Sequence, residues 1–134
     1  HELTYIRLVK QQTNAYTTRV RTAYNASSNI AEYPAGNELA EQLKIVARLI
    51  KGGLKTPIYV VNHPDSFDTH SNQVDPSDKT KGAHANMLGI LSKAVNAFQN
   101  DLQALGVADR VVTTTFTEFG RRIKSNNSGG TDHG

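Results

Sequence analysis

Pro57-Ile58-Tyr59-Val60-Val61-Asn62, a periodic run from His84 to Leu105, and Arg110-Val111-Val112-Thr113-Thr114-Thr115-Phe116 decide how this chain is read. The first stretch is β-branched and nearly all apolar, the pattern of a strand buried on both faces. In the middle run His84, Met87, Leu88, Leu91, Val95, Phe98, Leu102 and Leu105 recur at helical spacing, and Gly106 stands where a C-terminal glycine cap belongs. The third stretch, rich in Val and Thr, has strand composition. Strand, helix, strand is a βαβ unit, with parallel strands and a right-handed crossover. The expected fold class is therefore α/β, a parallel sheet flanked by helices. Parallel sheets need more than two strands and cover on both faces. The chain is accordingly expected to be part of a larger domain, depending on further sequence or an oligomer partner.

Upstream, residues 2–24 predict a helix with Leu3, Ile6, Val9, Tyr16, Val20 and Tyr24 roughly on one face. The segment Asn25–Gly36 reads as a loop. Asn37 is a good N-cap, with Glu38 and Glu41 favouring the first turn that follows. Leu39, Leu43, Val46, Ile50 and Leu54 form the next apolar stripe, closed by Gly52 and Gly53. Residues 1–54 are thus a helical lead-in, and residues 55–134 a βαβ unit with its loops, in one partial domain. Asn126-Asn127-Ser128-Gly129-Gly130 reads as a flexible loop.

Composition narrows the function classes. Of 134 residues, 37% are hydrophobic and 20% charged, as in ordinary globular proteins. No apolar run approaches the roughly 20 residues that span a bilayer. The net charge of +3 comes from 15 basic and 12 acidic residues, and the basic ones are scattered. That speaks against nucleic acid, which calls for a dense basic stripe. Cysteine is absent, so disulfides and thiolate metal sites are excluded.

Ligands of parallel α/β sheets bind beyond the carboxyl ends of the strands. Here those ends carry His63-Pro64-Asp65-Ser66-Phe67-Asp68-Thr69-His70 and Thr117-Glu118-Phe119-Gly120-Arg121-Arg122, followed by Thr131-Asp132-His133-Gly134. Carboxylates and imidazoles together suit Zn²⁺, Mn²⁺ or Fe²⁺. Such an ion activates water and neutralises a phosphate or sulfate ester. Arg121 or Arg122 could grip an ester oxygen. Plainer readings stand beside these. Asp68 and His70 fit a turn, Glu118 could pair with Arg121 on the surface, and Asp132-His133 could be a solvated tail. His84 lies on the apolar face of its helix and reads more readily as a core histidine than as a ligand.

Phe67-Asp68-Thr69-His70-Ser71-Asn72-Gln73, His84 opening a helix, Thr117-Glu118-Phe119-Gly120-Arg121 and Gly130-Thr131-Asp132-His133-Gly134 follow one another in this order. Over residues 55–134 the chain resembles the bacterial domain-of-unknown-function family fifteen-oh-one, with its G-F-D-T-H, S-E-F-G-R and G-x-D-H motifs. Ser66 stands where that family usually has Gly, and Thr117 where it has Ser. The family in turn resembles the alkaline phosphatase and sulfatase superfamily. That resemblance implies a central parallel sheet and divalent-metal ligands at the strand ends. It points to Asp68, His70, Glu118, Asp132 and His133 as ligands, with Arg121 as an anion contact. It also implies a twin-arginine export signal and a periplasmic or exported location. The superfamily places Asp-His at the end of the second strand, where this chain has Glu118-Phe119, and its nucleophile has no identifiable counterpart here. Two functions follow as expectations, beside the plainer reading of a purely structural α/β domain with solvated polar loops. One is a metal-dependent hydrolase of phosphate or sulfate esters. The other is a non-catalytic exported protein that uses a degenerate fold of this kind to bind a small anionic ester or polysaccharide.

Overall fold

A computed structural model of the chain describes residues 2–134. Its helices are α1 (Glu2–Asn25), α2 (Glu38–Lys51) and α3 (Ala83–Ala104), and its sheet is an antiparallel pair, β1 (Arg121–Ser125) and β2 (Thr131–His133). All three helices lie where the apolar spacing predicts them. The exposed face of α1 does not follow from that spacing. Leu3 is 69% exposed, Ile6 58% and Tyr16 53%, and Ala23 is the buried residue of the helix.

The docked end of α1 is held by α2. Arg48 donates to the carbonyl of Tyr24 at 2.8 Å and to that of Ser27 at 2.9 Å. Its guanidinium also lies 3.5 Å from the centre of the Tyr24 ring. One cation thus satisfies carbonyls at a helix C-terminus and covers an aromatic face. Gly52 permits the approach, because a Cβ there would lie 1.9 Å from the Ala23 carbonyl oxygen.

The core is the α2–α3 interface, where Leu39, Leu43 and Ala47 meet Ala94, Phe98 and Leu102. Asn37 caps α2 by accepting from Ala40 N–H at 3.0 Å, and donates to the Ile90 carbonyl of α3 at 2.9 Å. Lys51 donates to Leu105 O at 2.7 Å, a cation at the carbonyl end of α3. Gly106 takes φ +68° immediately beyond it, the left-handed conformation of a helix-ending glycine. Asp101 is fully buried on α3. Its carboxylate accepts from Ile30 N–H, Ala31 N–H, Asn29 and Tyr33, at 2.7–3.1 Å. That cluster fastens the α1–α2 loop to the core.

The two apolar runs flank α3 in sequence, as the βαβ reading requires, but neither forms a ladder. Among the described residues no main-chain hydrogen bond joins 57–62 to 110–116. A strand is defined by its neighbour, and here the nearest substitute is a side chain. The Gln42 carboxamide accepts from Asn62 N–H at 3.1 Å and donates to Asn62 O at 2.9 Å, as a partner strand would. Ile58 and Val112 remain 75% and 94% exposed. Both runs line a cleft of about 810 Å³ floored by Leu43, Val46, Ile50 and Phe98.

Candidate metal centre

Two segments build the site. The loop after residue 62 runs back along the β1–β2 hairpin as a third, short partner. Asn72 N–H donates to Ser128 O at 3.2 Å and Gln73 N–H to Gly129 O at 3.0 Å. Gln73 is buried and ties this junction to α3. Its carbonyl accepts from His84 N–H at 3.1 Å, and its side chain accepts from the Thr131 hydroxyl at 3.2 Å. Gly130 makes the contact close, since a Cβ there would lie 2.4 Å from the carbonyl of His70.

The segment 126–130, expected to be a flexible loop, is instead a hydrogen-bonded turn. Asn126 Oδ1 accepts from Ser128 N–H and Gly130 N–H, each at 3.0 Å, and Asn126 N–H donates to Gly130 O at 2.9 Å. An asparagine side chain that substitutes for main-chain partners orders a glycine-rich turn. The turn brings Asp132 and His133 back over Asp68 and His70, so this half-exposed segment is a strand of the hairpin and not a free tail.

Asp68 is the centre of the cluster. Its Oδ1 lies 2.8 Å from His133 Nε2 and 2.8 Å from His70 Nε2. One ligand atom from each of Asp68, His70 and His133 falls within 4.8 Å of the others. The hydrogen bond from His133 holds the Asp68 carboxyl below its ordinary range. Burial opposes that bond less strongly, and the charges of His70, His133 and Arg121 each add a smaller lowering effect.

Arg121, read from sequence as an anion contact, points inward. It donates to the carbonyls of Thr131 and Phe67, and lies 3.4 Å from Asp68 Oδ1. It therefore ties the Asp68 loop to the hairpin. Phe119, which the sequence reading gave no role, stacks on His133 with ring centres 3.9 Å apart and 13° between planes.

The remaining candidates separate. Asp132 Oδ1 lies 3.4 Å from His70 Nδ1, on the side of the imidazole away from Asp68. Glu118 is exposed and has no hydrogen bond or ion pair among the described residues, so the surface pair with Arg121 does not form. His84 packs edge-on to Phe67 at 5.9 Å, outside the cluster, and its buried Nδ1 has no hydrogen-bond partner among the described residues.

The chain matches the family described as "Protein of unknown function (DUF1501)" over residues 7–134. The chain belongs to the DUF1501 family. The match extends over the helical lead-in, so α1 and α2 are part of the DUF1501 unit as well as the site-bearing segment. No curated protein and no solved structure matches the chain.

The donor set of this DUF1501 protein fits a divalent ion. Tetrahedral ligands at about 2.0–2.2 Å from Zn²⁺ lie roughly 3.3–3.6 Å apart, so the 2.8 Å separations of the Asp68 and imidazole atoms would open by several tenths of an ångström around an ion. One carboxylate and two imidazoles suit Zn²⁺, Mn²⁺ or Fe²⁺, and three protein ligands leave positions open for water or substrate. The cluster is about half exposed, with side-chain accessibilities of 44% for Asp68, 48% for His70 and 44% for His133.

Proposed function

We propose that this protein is a metal-dependent hydrolase of phosphate or sulfate esters, with Asp68, His70 and His133 holding the metal. The observation that carries this reading is the convergence of two imidazole Nε2 atoms on one carboxylate oxygen. Bound there, a divalent ion would supply Lewis acidity toward an ester oxygen and lower the pKa of water. The chain's own groups define the rest. Asp68 stays ionised, Arg121 keeps it against the hairpin, and Phe119 sets the plane of His133. Arg122, whose charge acts on Asp132, is the cation left to meet an anionic ester.

The wider frame is an alkaline phosphatase-like parallel sheet, in which the runs at 57–62 and 110–116 gain strand neighbours. Their apolar character and unpaired main chain support it. An exported or periplasmic location completes the proposal and rests on the motif resemblance. Fractionation of cells expressing the full-length protein tests it.

A second reading is a non-catalytic binding protein for a small anionic ester or polysaccharide. The inward orientation of Arg121 favours it, because the cation expected to clamp a transition-state anion is already engaged.

Elemental analysis of the full-length protein beside a D68A/H70A double variant separates these readings. Stoichiometric zinc, manganese or iron that disappears in the variant supports the metal centre, and turnover of an aryl phosphate or aryl sulfate then supports the hydrolase. Metal without turnover moves the assignment to the binding protein. Absence of metal from a folded wild-type protein removes the metal centre altogether.

A further inference from the structure

His70 presents its two ring nitrogens to different carboxylates. Nε2 faces Asp68 Oδ1 at 2.8 Å, and Nδ1 faces Asp132 Oδ1 at 3.4 Å. The second distance is long for a hydrogen bond. What keeps the oxygen there is Asn126. Its Nδ2 donates to Asp132 Oδ1 at 3.0 Å and to the main-chain carbonyl of His70 at 2.8 Å. A single carboxamide thus grips the backbone of His70 and the carboxylate that His70 faces.

The orientation of that carboxamide is forced. Oδ1 accepts from the N–H groups of Ser128 and Gly130. Turned over, the amide would set its NH₂ against two N–H donors and its oxygen against a carboxylate and a carbonyl. All its hydrogen-bonding capacity is therefore used, and its direction is set by the turn.

We infer that Asp132, clamped by Asn126, is a positioning group for His70 rather than a metal ligand. It fixes the proton on Nδ1, so that the lone pair of Nε2 points to the metal position beside Asp68. This rests on the metal-centre reading above and adds an arrangement of ligand, carboxylate and anchoring amide. Outer partners of this kind orient the imidazole and raise its basicity, and their removal lowers metal affinity by roughly 10–100-fold.

The test uses the full-length protein, with Zn²⁺ affinity measured by chelator competition for the wild type, D132A and N126A. Histidine ¹H–¹⁵N spectra of the zinc-loaded proteins accompany it. The expected result is an affinity loss of about 10–100-fold in both variants. A slowly exchanging His70 Nδ1–H signal should be present in the wild type and absent from D132A. D132A leaves the turn bonds of Asn126 in place, so it keeps the test valid if N126A fails to fold. Wild-type binding with unchanged affinity and an unchanged Nδ1–H signal in D132A would overturn this inference alone. A folded wild type that takes up no zinc overturns the metal centre and this inference with it.

Discussion

Replacing Asp101 by Ala removes a fully buried carboxylate from the helical core. Four donors lose their acceptor at once: Ile30 N–H, Ala31 N–H, the Asn29 carboxamide and the Tyr33 hydroxyl. Hydrogen bonds to a charged group contribute about 1.5–3 kcal/mol each, but bonds to one carboxylate are not additive. The loop is partly open to solvent, as the 63% exposure of Ile30 shows, so some donors regain water. The expected destabilisation is about 3–4 kcal/mol. Asp101→Asn should cost less, about 1–2 kcal/mol, because its oxygen still serves the two main-chain donors while its NH₂ opposes Asn29.

The pH dependence gives an independent check. Burial alone would raise the Asp101 carboxyl, but the hydrogen bonds from Asn29, Ile30, Ala31 and Tyr33 outweigh it and the net shift is downward. A lowered carboxyl pKa means that the unfolded chain binds the proton more readily. The contribution is therefore fully present above the ordinary carboxyl range near ~3.9, and is lost as pH falls through the folded value. Urea unfolding of the wild type and D101A should show a lower midpoint with unchanged slope in the variant. The wild type should lose more stability than D101A between neutral pH and acid. A D101A protein within about 0.5 kcal/mol of wild type, the range of an ordinary surface substitution, would refute the argument.

Three further predictions concern the site and the helix pair. Gly130→Ala should push the His70 segment off the hairpin, since its Cβ falls 2.4 Å from the His70 carbonyl; a loss of about 1–3 kcal/mol in denaturant melts and weaker zinc binding are expected. Phe119→Ala removes the ring stacked on His133 at 3.9 Å; zinc affinity should fall about tenfold, in the manner of a lost outer-shell support, and an unchanged affinity in competition titrations would show that the stacking does not orient the ligand. Asn37→Ala removes the α2 cap and the bond to Ile90 O; a midpoint shift equivalent to about 1–2 kcal/mol should appear on urea unfolding.

The helices were legible because their information is local. Apolar spacing, the Asn37 cap and Gly106 act within a few residues, and α2 and α3 lie where these signals set them. The apolar face of α1 was equally legible, but whether a face is buried depends on what packs against it, and most of α1 is exposed. Asp101 was not legible at all. It sits among α3 residues as an ordinary polar position until the loop from Asn29 to Tyr33 folds over it. Asn126 was passed over for a related reason, because an Asn beside Ser and Gly reads as flexibility unless its bonds to Asp132 and His70 are known.

The Asp68-Thr69-His70 and Asp132-His133 motifs were enough to announce residue types able to hold a metal. How those residues divide depends on long-range packing. Asp68, His70 and His133 converge because the hairpin folds back across the Asp68 loop through Gly130. Asp132 lands on the far nitrogen of His70, Arg121 turns inward to main-chain carbonyls, and Glu118 stays outside. Adjacent residues on a β-strand point to opposite sides. Neighbours in a motif such as Asp132-His133 are therefore separated in space, and residues some sixty positions apart meet at one point.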